Sequence, residues 1–322
     1  MSRSSSRSTN TNVQLQPIID MGESMSGFQI VSVQMGADGY IYVLLIDELP
    51  SRINGMFVPS VLKNDYTYQV LQIADGIIQQ QVTLPNQHFN YHYIQPLHDE
   101  LLLVGARCHY YGQDRYDRNA AVFHWNGQLV REFLLGDGIQ QVQVTKSGTI
   151  WTSYFDEGIF GNHGWKHPVG ANGLIAWDAH GEKLYSNDKV DIVDCYALNV
   201  INDKEIWFYY YTDFMLGRIS GSLSQPHIDM VQPNVSGSYG FCTDGYHFLF
   251  DGGYDKHGSL ILKKTNKPNI LSKGQSIQLM DETGHTLQMI CSDFRGDSLV
   301  IYNDNRLYMV TMEEIVHAAA SH

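Results

Sequence analysis

Charge is scarce in this chain. Only 17% of the 322 residues are Asp, Glu, Lys or Arg, against about a quarter in an average soluble domain. Basic residues are scarcer still. Twenty-one Lys and Arg face 34 Asp and Glu, for a formal net charge of −13. Phosphate backbones and anionic lipid heads are held by Lys and Arg that displace counterions, so neither nucleic acid nor a membrane surface is an expected partner. Cations, sugars or basic partners suit such a field better. Cysteine is sparse as well. Cys108, Cys195, Cys242 and Cys291 stand far apart with no CxxC pair, which argues against a disulfide framework or a zinc knuckle and for buried, reduced thiols. No apolar run reaches the roughly 18 residues that span a bilayer, and none follows Arg3 and Arg7 as a signal peptide requires, so a cytoplasmic location is expected. The Asn234-Val-Ser236 sequon is then a chance match. Also missing are the stretches rich in Ala, Glu, Lys and Leu that build long helices.

What is present points to strands. Aromatics make up 12% of the chain, with 20 Tyr and 29 Gly, a composition of pleated surfaces joined by turns. Residues Met1 to Asn12 are polar and of low complexity and are expected to be a disordered tail, leaving 13–322 as one domain. Val13 to Ile19 alternates apolar and polar residues, an isolated strand signal. A unit then recurs in which a strand, a tight polar turn and a strongly apolar strand follow one another. Its copies are QMGADGYIYVLLID, QPLHDELLLVGAR, QVTKSGTIWTSYFD, NVINDKEIWFYYYTD, FCTDGYHFLFDGG and SDFRGDSLVIYND. The spacing averages about 50 residues, in the range of propeller blades and kelch-like units. Most units carry a second hairpin, such as those turning at Asp75-Gly76 and Asn126-Gly127, where Gly supplies the positive φ of a two-residue turn.

The sixth unit is one strand short, and Val13 to Ile19 is one strand to spare. An all-β, six-bladed β-propeller closed by the N-terminal strand pairing into the last blade satisfies both and leaves no open sheet edge. Seven blades, or a pair of β-sandwiches, are the alternatives. A short helix is expected at Met312 to Ala320.

In such blades the loop between second and third strands shares a face with the blade-to-blade loop, so the polar residues after each second strand converge. These include Asp47, His109, Asp114, Asp213, Asp251, Asp255, His257 and Asp304. The densest stretch is Ile150 to Asp178, where Asp156, Glu157, His163 and His167 share one Gly-rich loop expected to lack helix. The expected ligand-binding set is Asp156, Glu157, Trp165, Asp194, Tyr196, Tyr211 and Asp213. Carboxylates and imidazoles together can hold a divalent metal, so Asp156, His163 and His167 form a candidate metal set, although His163-x3-His167 is a loose spacing and no cofactor is certain. Two carboxylates across a pocket, Asp156 or Glu157 facing Asp194 or Asp213, would suit acid–base chemistry. The same residues have plain structural uses, in capping turns and strand ends.

The motifs YFDEGIFGNHGW, PVGANGLIAWD, DCYALNV and YYTDF resemble a family of uncharacterised bacterial β-propeller-type proteins. The resemblance is strongest over Thr149 to Phe214 and thins before Gln140 and after Asp255. It implies the fold and a shared special loop, and carries over no catalytic role. With no GxSxG elbow, P-loop or dinucleotide fingerprint, the expected function is a binding module for a small molecule or protein on an acidic, aromatic loop face. The alternative is a metal-assisted hydrolase or lyase acting on a sugar or lactone. Oligomeric state is not legible.

Overall fold

The computed structural model describes residues 10–55, 57–254, 256, 258–267, 269–289 and 291–321. Six antiparallel sheets follow one another along the chain, each built outward from an innermost strand. Blade 1 runs Gln29–Met35, Ile41–Ile46, Val61–Ala74 and Ile77–Phe89. Blade 2 runs Tyr93–Leu97, Glu100–Val104, Ala120–Phe123 and Leu129–Phe133. Blade 3 is Ile139–Val144, Ile150–Tyr154, Leu174–Trp177 and Lys183–Ser186. Blade 4 is Asp194–Asn202, Glu205–Tyr211, Met215–Ser222 and Gln225–Val231. Blade 5 is Phe241–Thr243, His247–Asp251, Leu260–Lys267 and Gln275–Met280. Blade 6 takes only three strands from the C-terminal end, Cys291–Arg295, Ser298–Asn303 and Arg306–Thr311. The six-bladed propeller is therefore the fold. Second strands such as Ile41–Ile46, buried at every position, face a neighbouring blade on both sides, which is why they read as unbroken apolar runs.

The N-terminal segment closes the ring, but with its work divided. Ile19 pairs with Leu307 and Asp20 with Arg306, giving blade 6 its fourth strand. Val13 instead pairs in parallel with Leu279, so Thr11–Gln14 is an added outer strand of blade 5. Pro17 explains the break: with no N–H to give, it cannot continue one ladder across both sheets. The expected tail loses its last residues to this strand, because Thr11 is fully buried and Asn12 pairs with Gln278. Met1 to Thr9 lie outside the described residues, as do Asp255 and His257. The C-terminal helix forms at Met312–Ala320 as expected, capped by the Thr311 hydroxyl and Glu314 in a reciprocal box.

The innermost strands pose the main physical problem. Their inward edges have no neighbouring strand, and buried backbone groups must find partners. Carboxamide side chains supply them. Gln34 of blade 1 accepts from the Ile94 amide of blade 2 at 2.8 Å, and Gln95 of blade 2 from Val144 of blade 3 at 3.1 Å. Gln141 and Gln143 of blade 3 accept from Leu198 and Val200 of blade 4 at 2.6 and 2.7 Å. Asn199 of blade 4 accepts from Gly296 of blade 6 and donates to Phe241 O of blade 5. Asp293 of blade 6 accepts from the Met35 amide of blade 1 at 2.8 Å. Arg295 crosses the axis and donates to Met35 O, Gln95 Oε1 and Val144 O. Burial pushes the Asp293 carboxyl up to about 7, against the lowering effect of the Met35 amide and Arg295. The centre of the ring is thus filled at this depth.

The Gln143 side chain makes three hydrogen bonds here, since its Nε2 also donates to Leu198 O and Phe294 O. Replacing it by Ala orphans three backbone groups in two other blades, so Gln143→Ala should lower unfolding free energy in urea by about 2–4 kcal/mol. Gln79→Ala, which removes an exposed amide bonded only to Ala74 O, should stay within about 0.5 kcal/mol of the parent.

Candidate functional site

The loops between second and third strands are unequal. They are long in blades 1, 2 and 3, covering 47–60, 105–119 and 155–173, and short in blades 4 and 6, covering 212–214 and 304–305. The three long loops are adjacent and packed together. The third begins with a short helix, Asp156–Phe160, where no helix was expected. Two glycines let it sit directly on the connection from blade 2 to blade 3. A Cβ on Gly138, whose φ is +73°, would lie 2.3 Å from the Gly158 Cα, and one on Gly158 would lie 2.5 Å from Asp137 O. Further along, the Trp165 indole donates to Cys108 O at 2.9 Å and packs on Tyr110. The Tyr110 amide donates to His163 O at 2.9 Å. The loops of blades 2 and 3 are therefore laced into one body.

Between these loops lies a hollow of about 510 Å³ whose lining includes Phe57, Ser60, Arg107, His109, Tyr111, Glu157, Asn162 and His163. Arg107 forms its polar floor. Its guanidinium meets Asp137 through two bonds, at 2.9 and 3.0 Å, and also pairs with Glu157. Asp137 is almost fully buried and takes the Cys108 amide as well. A second buried carboxylate, Asp117, accepts from Ser60 Oγ, the His109 amide and the Tyr111 hydroxyl, tying the loop of blade 1 to that of blade 2. His163 holds a left-handed backbone, φ +46°, unusual for a bulky residue. Its ring lies 5.8 Å from that of His109 and 6.0 Å from that of Phe57, centroid to centroid. Burial, and then the nearby charge of Arg107, holds its pKa below the ordinary imidazole value. For Glu157, burial works upward, but hydrogen bonds from Arg107 and Asn162 outweigh it and leave the carboxyl below its ordinary value.

The expected residues fall into two neighbourhoods and a remainder. Glu157 and His163 line this hollow. Trp165 is buried and helps frame a neighbouring one of about 660 Å³, with Tyr110, Lys166 and His167. The imidazoles of the candidate metal set thus line different hollows, while exposed Asp156 accepts from the Glu157 amide at 2.7 Å. Among the described residues no group of three His, Cys, Asp or Glu side chains is placed to hold a metal ion. Asp194 and Tyr196 belong to a second, tyrosine-rich neighbourhood. Tyr196 packs against Tyr209, Phe214, Tyr239 and Tyr254 and shares a hydroxyl hydrogen bond with Tyr254. Tyr211 packs on Phe214 beside it, and Asp213 is exposed in the tight turn. Asp194 Oδ1 is buried without a hydrogen-bond partner, and burial, then the charge of Asp156, raises its pKa to about 6. Arg107, Asp117, Asp137, Ser60 and Phe57 were not expected. Only the glycines flanking Asp137 in LGDG hinted at a constrained carboxylate.

With this geometry in view, comparison with known proteins adds one relationship. Residues 169–310 match the YxzG family. The match takes in DCYALNV and YYTDF but starts after YFDEGIFGNHGW, and it continues well beyond Asp255. Among curated proteins none matches. Similar solved structures include virginiamycin B lyase from Staphylococcus aureus, at TM-score 0.46 and 12% identity over 90% of this chain and 96% of that one. A gluconolactonase from Xanthomonas campestris gives 0.46 and 12% over 88% and 86%. YCF48 from Cyanidioschyzon merolae gives 0.46 and 10% over 88% and 95%. At such scores these likenesses say nothing of activity. Among the described residues no helix is long and apolar enough to cross a membrane.

Asp194 makes a pH prediction. Its folded pKa of about 6 lies above the ordinary 3.8, so folding favours the protonated form. Its contribution is fully present below about pH 4 and is lost as pH rises through 6. Asp194→Asn should match the parent's stability near pH 4 and exceed it at pH 7, measured by urea unfolding at each pH. Equal stability at both would show that the carboxyl is not buried as described.

Proposed function

We infer that the protein is a binding module that captures a small molecule in the hollow between the loops of blades 1, 2 and 3. The observation that carries this reading is the prebuilt polar floor. Two buried carboxylates, Asp117 and Asp137, fix the backbone and side chains of the loops of blades 1 and 2, and Arg107, held by Asp137, ties Glu157 of the blade 3 loop to them before any ligand arrives. Ligand sites are commonly concave, pre-formed and furnished with a few convergent polar groups, and loops on a rigid scaffold are where they are built. A protein partner would meet the same face.

A second reading treats the hollow as an active site of hydrolase or lyase type, acting on a sugar or lactone. It is favoured by the lowered pKa of His163, which leaves a neutral imidazole available as a base, beside a carboxylate, Glu157, in the same lining. Turnover of a bound compound would select it over simple binding.

A thermal-shift panel of small acids, amines, sugars and lactones tests the site. A compound that stabilises the parent should lose its effect in His163→Ala and Glu157→Gln. Both variants should melt within about 3 °C of the parent, the shift of roughly 1 kcal/mol in a chain of this size. A larger fall in melting temperature would make these residues structural, and undiminished stabilisation would move the ligand elsewhere.

A further inference from the structure

We propose that this hollow is a site for a small organic cation, an alkylammonium group seated against an aromatic wall. The proposal rests on the binding reading above and names its ligand class. Four rings follow one another around the space. Phe57 and His163 are 6.0 Å apart at 64°, His163 and His109 are 5.8 Å apart at 60°, and His109 and Tyr111 are 4.7 Å apart at 41°. The faces of Phe and Tyr rings carry negative electrostatic potential and attract ammonium groups within about 6 Å, and Phe57 and Tyr111 stand at the two ends of this row.

The fixed charges point the same way. Arg107 is the one permanent cation among the described lining residues, and its guanidinium is already engaged by Asp137 and Glu157. Asp117 is a third carboxylate, and the hydrogen bonds that hold it come from Ser60, His109 and Tyr111, donors that leave its charge uncancelled. Two carboxylates thus flank the guanidinium, and Asp117 lies apart from it, behind the Ser60, His109 and Tyr111 wall; of the three, only Glu157 is itself a lining residue. An entering anion would meet net repulsion, a neutral molecule would gain only contact, and a cation would gain both attraction and contact. Burial and the charge of Arg107 hold the His163 pKa below its ordinary value, which weakens any opposition from that ring. The wider field agrees, because a chain of net charge −13 draws cations toward its clefts.

Calorimetry on the full chain compares choline with 3,3-dimethyl-1-butanol, its uncharged isostere, and with acetate. Choline should bind at least about tenfold more tightly than the isostere, acetate should not bind, and added salt should weaken choline. Phe57→Leu keeps an apolar side chain on an exposed loop and removes the π face. It should weaken choline about fivefold without changing the melting temperature. Equal affinity for choline and its isostere, preference for acetate, no choline binding, or indifference to Phe57→Leu would each overturn the cation assignment. If another compound then binds the hollow and is lost in His163→Ala, the binding reading survives while the cation class fails. If no compound of any class responds to substitutions in the hollow, both fail.

Discussion

The structure depends on a ring of buried amides. A propeller brings six strand edges together around an axis with no further strand to pair them, and each unpaired edge group would cost about 1–3 kcal/mol. A carboxamide solves this economically because it carries a donor and an acceptor in the geometry of a peptide group. Gln34, Gln95, Gln143 and Asn199 each reach to the next blade or across the axis. Where the ring turns from blade 6 back to blade 1, a carboxylate takes the place of the amide. Asp293 accepts from the backbone of blade 1 while Arg295 donates to three blades. These buried ionisable groups are the costlier substitute. Asp293 belongs to that join, while Arg295 reaches past it to blades 2 and 3, so the register of closure is set by chemistry as well as by packing.

That filled axis decides where a ligand can sit. A propeller with an open channel can place its site on the symmetry axis, where all blades contribute. Here Gln143, Asn199 and Arg295 occupy the middle of the ring, so room remains only at its mouth and among the loops. The loops are unequal, and the three long ones belong to consecutive blades. The hollow is therefore off-axis and asymmetric. It is built by neighbours because only neighbours have enough chain to meet. Glycine contacts at Gly138 and Gly158 bring the loop of blade 3 down onto Asp137, and that descent is what lets Glu157 reach Arg107.

How much of this was legible follows from which interactions are periodic. Blade units were readable because hairpin turns and apolar second strands recur. The amide ring was written in the same units. Gln34, Gln95, Gln143 and Asn199 stand four residues before the turn residues Asp38, Asp99, Ser147 and Asp203, a regularity visible once the inward edge is recognised as a problem. Closure was readable as an arithmetic of strands, although Pro17 split the segment between two sheets in a way that alternation alone does not disclose. The hollow was not readable, because its residues occur once each. Glu157 and His163 stood out by density. Arg107, Asp117 and Asp137 did not, since a lone Arg or Asp in a turn carries no signal until the fold shows what lies opposite it. The second neighbourhood, around Asp194 and Tyr196, lies apart from the imidazoles it was expected to join.

The separation of the two neighbourhoods has a physical consequence for how the face can respond to charge. Beside the hollow the carboxylates of Glu157, Asp117 and Asp137 are each held by hydrogen bonds, and those from Arg107 and Asn162 keep the Glu157 carboxyl below its ordinary value. Around Asp194 the opposite holds. One carboxyl oxygen is buried and unpartnered, Asp156 is close enough to disfavour its ionisation, and the surrounding groups are tyrosines whose own pKa values burial has raised. A charge that forms on Oδ1 has no hydrogen bond there to hold it. The two regions share one connection, because Asp156 precedes Glu157 on the same short helix.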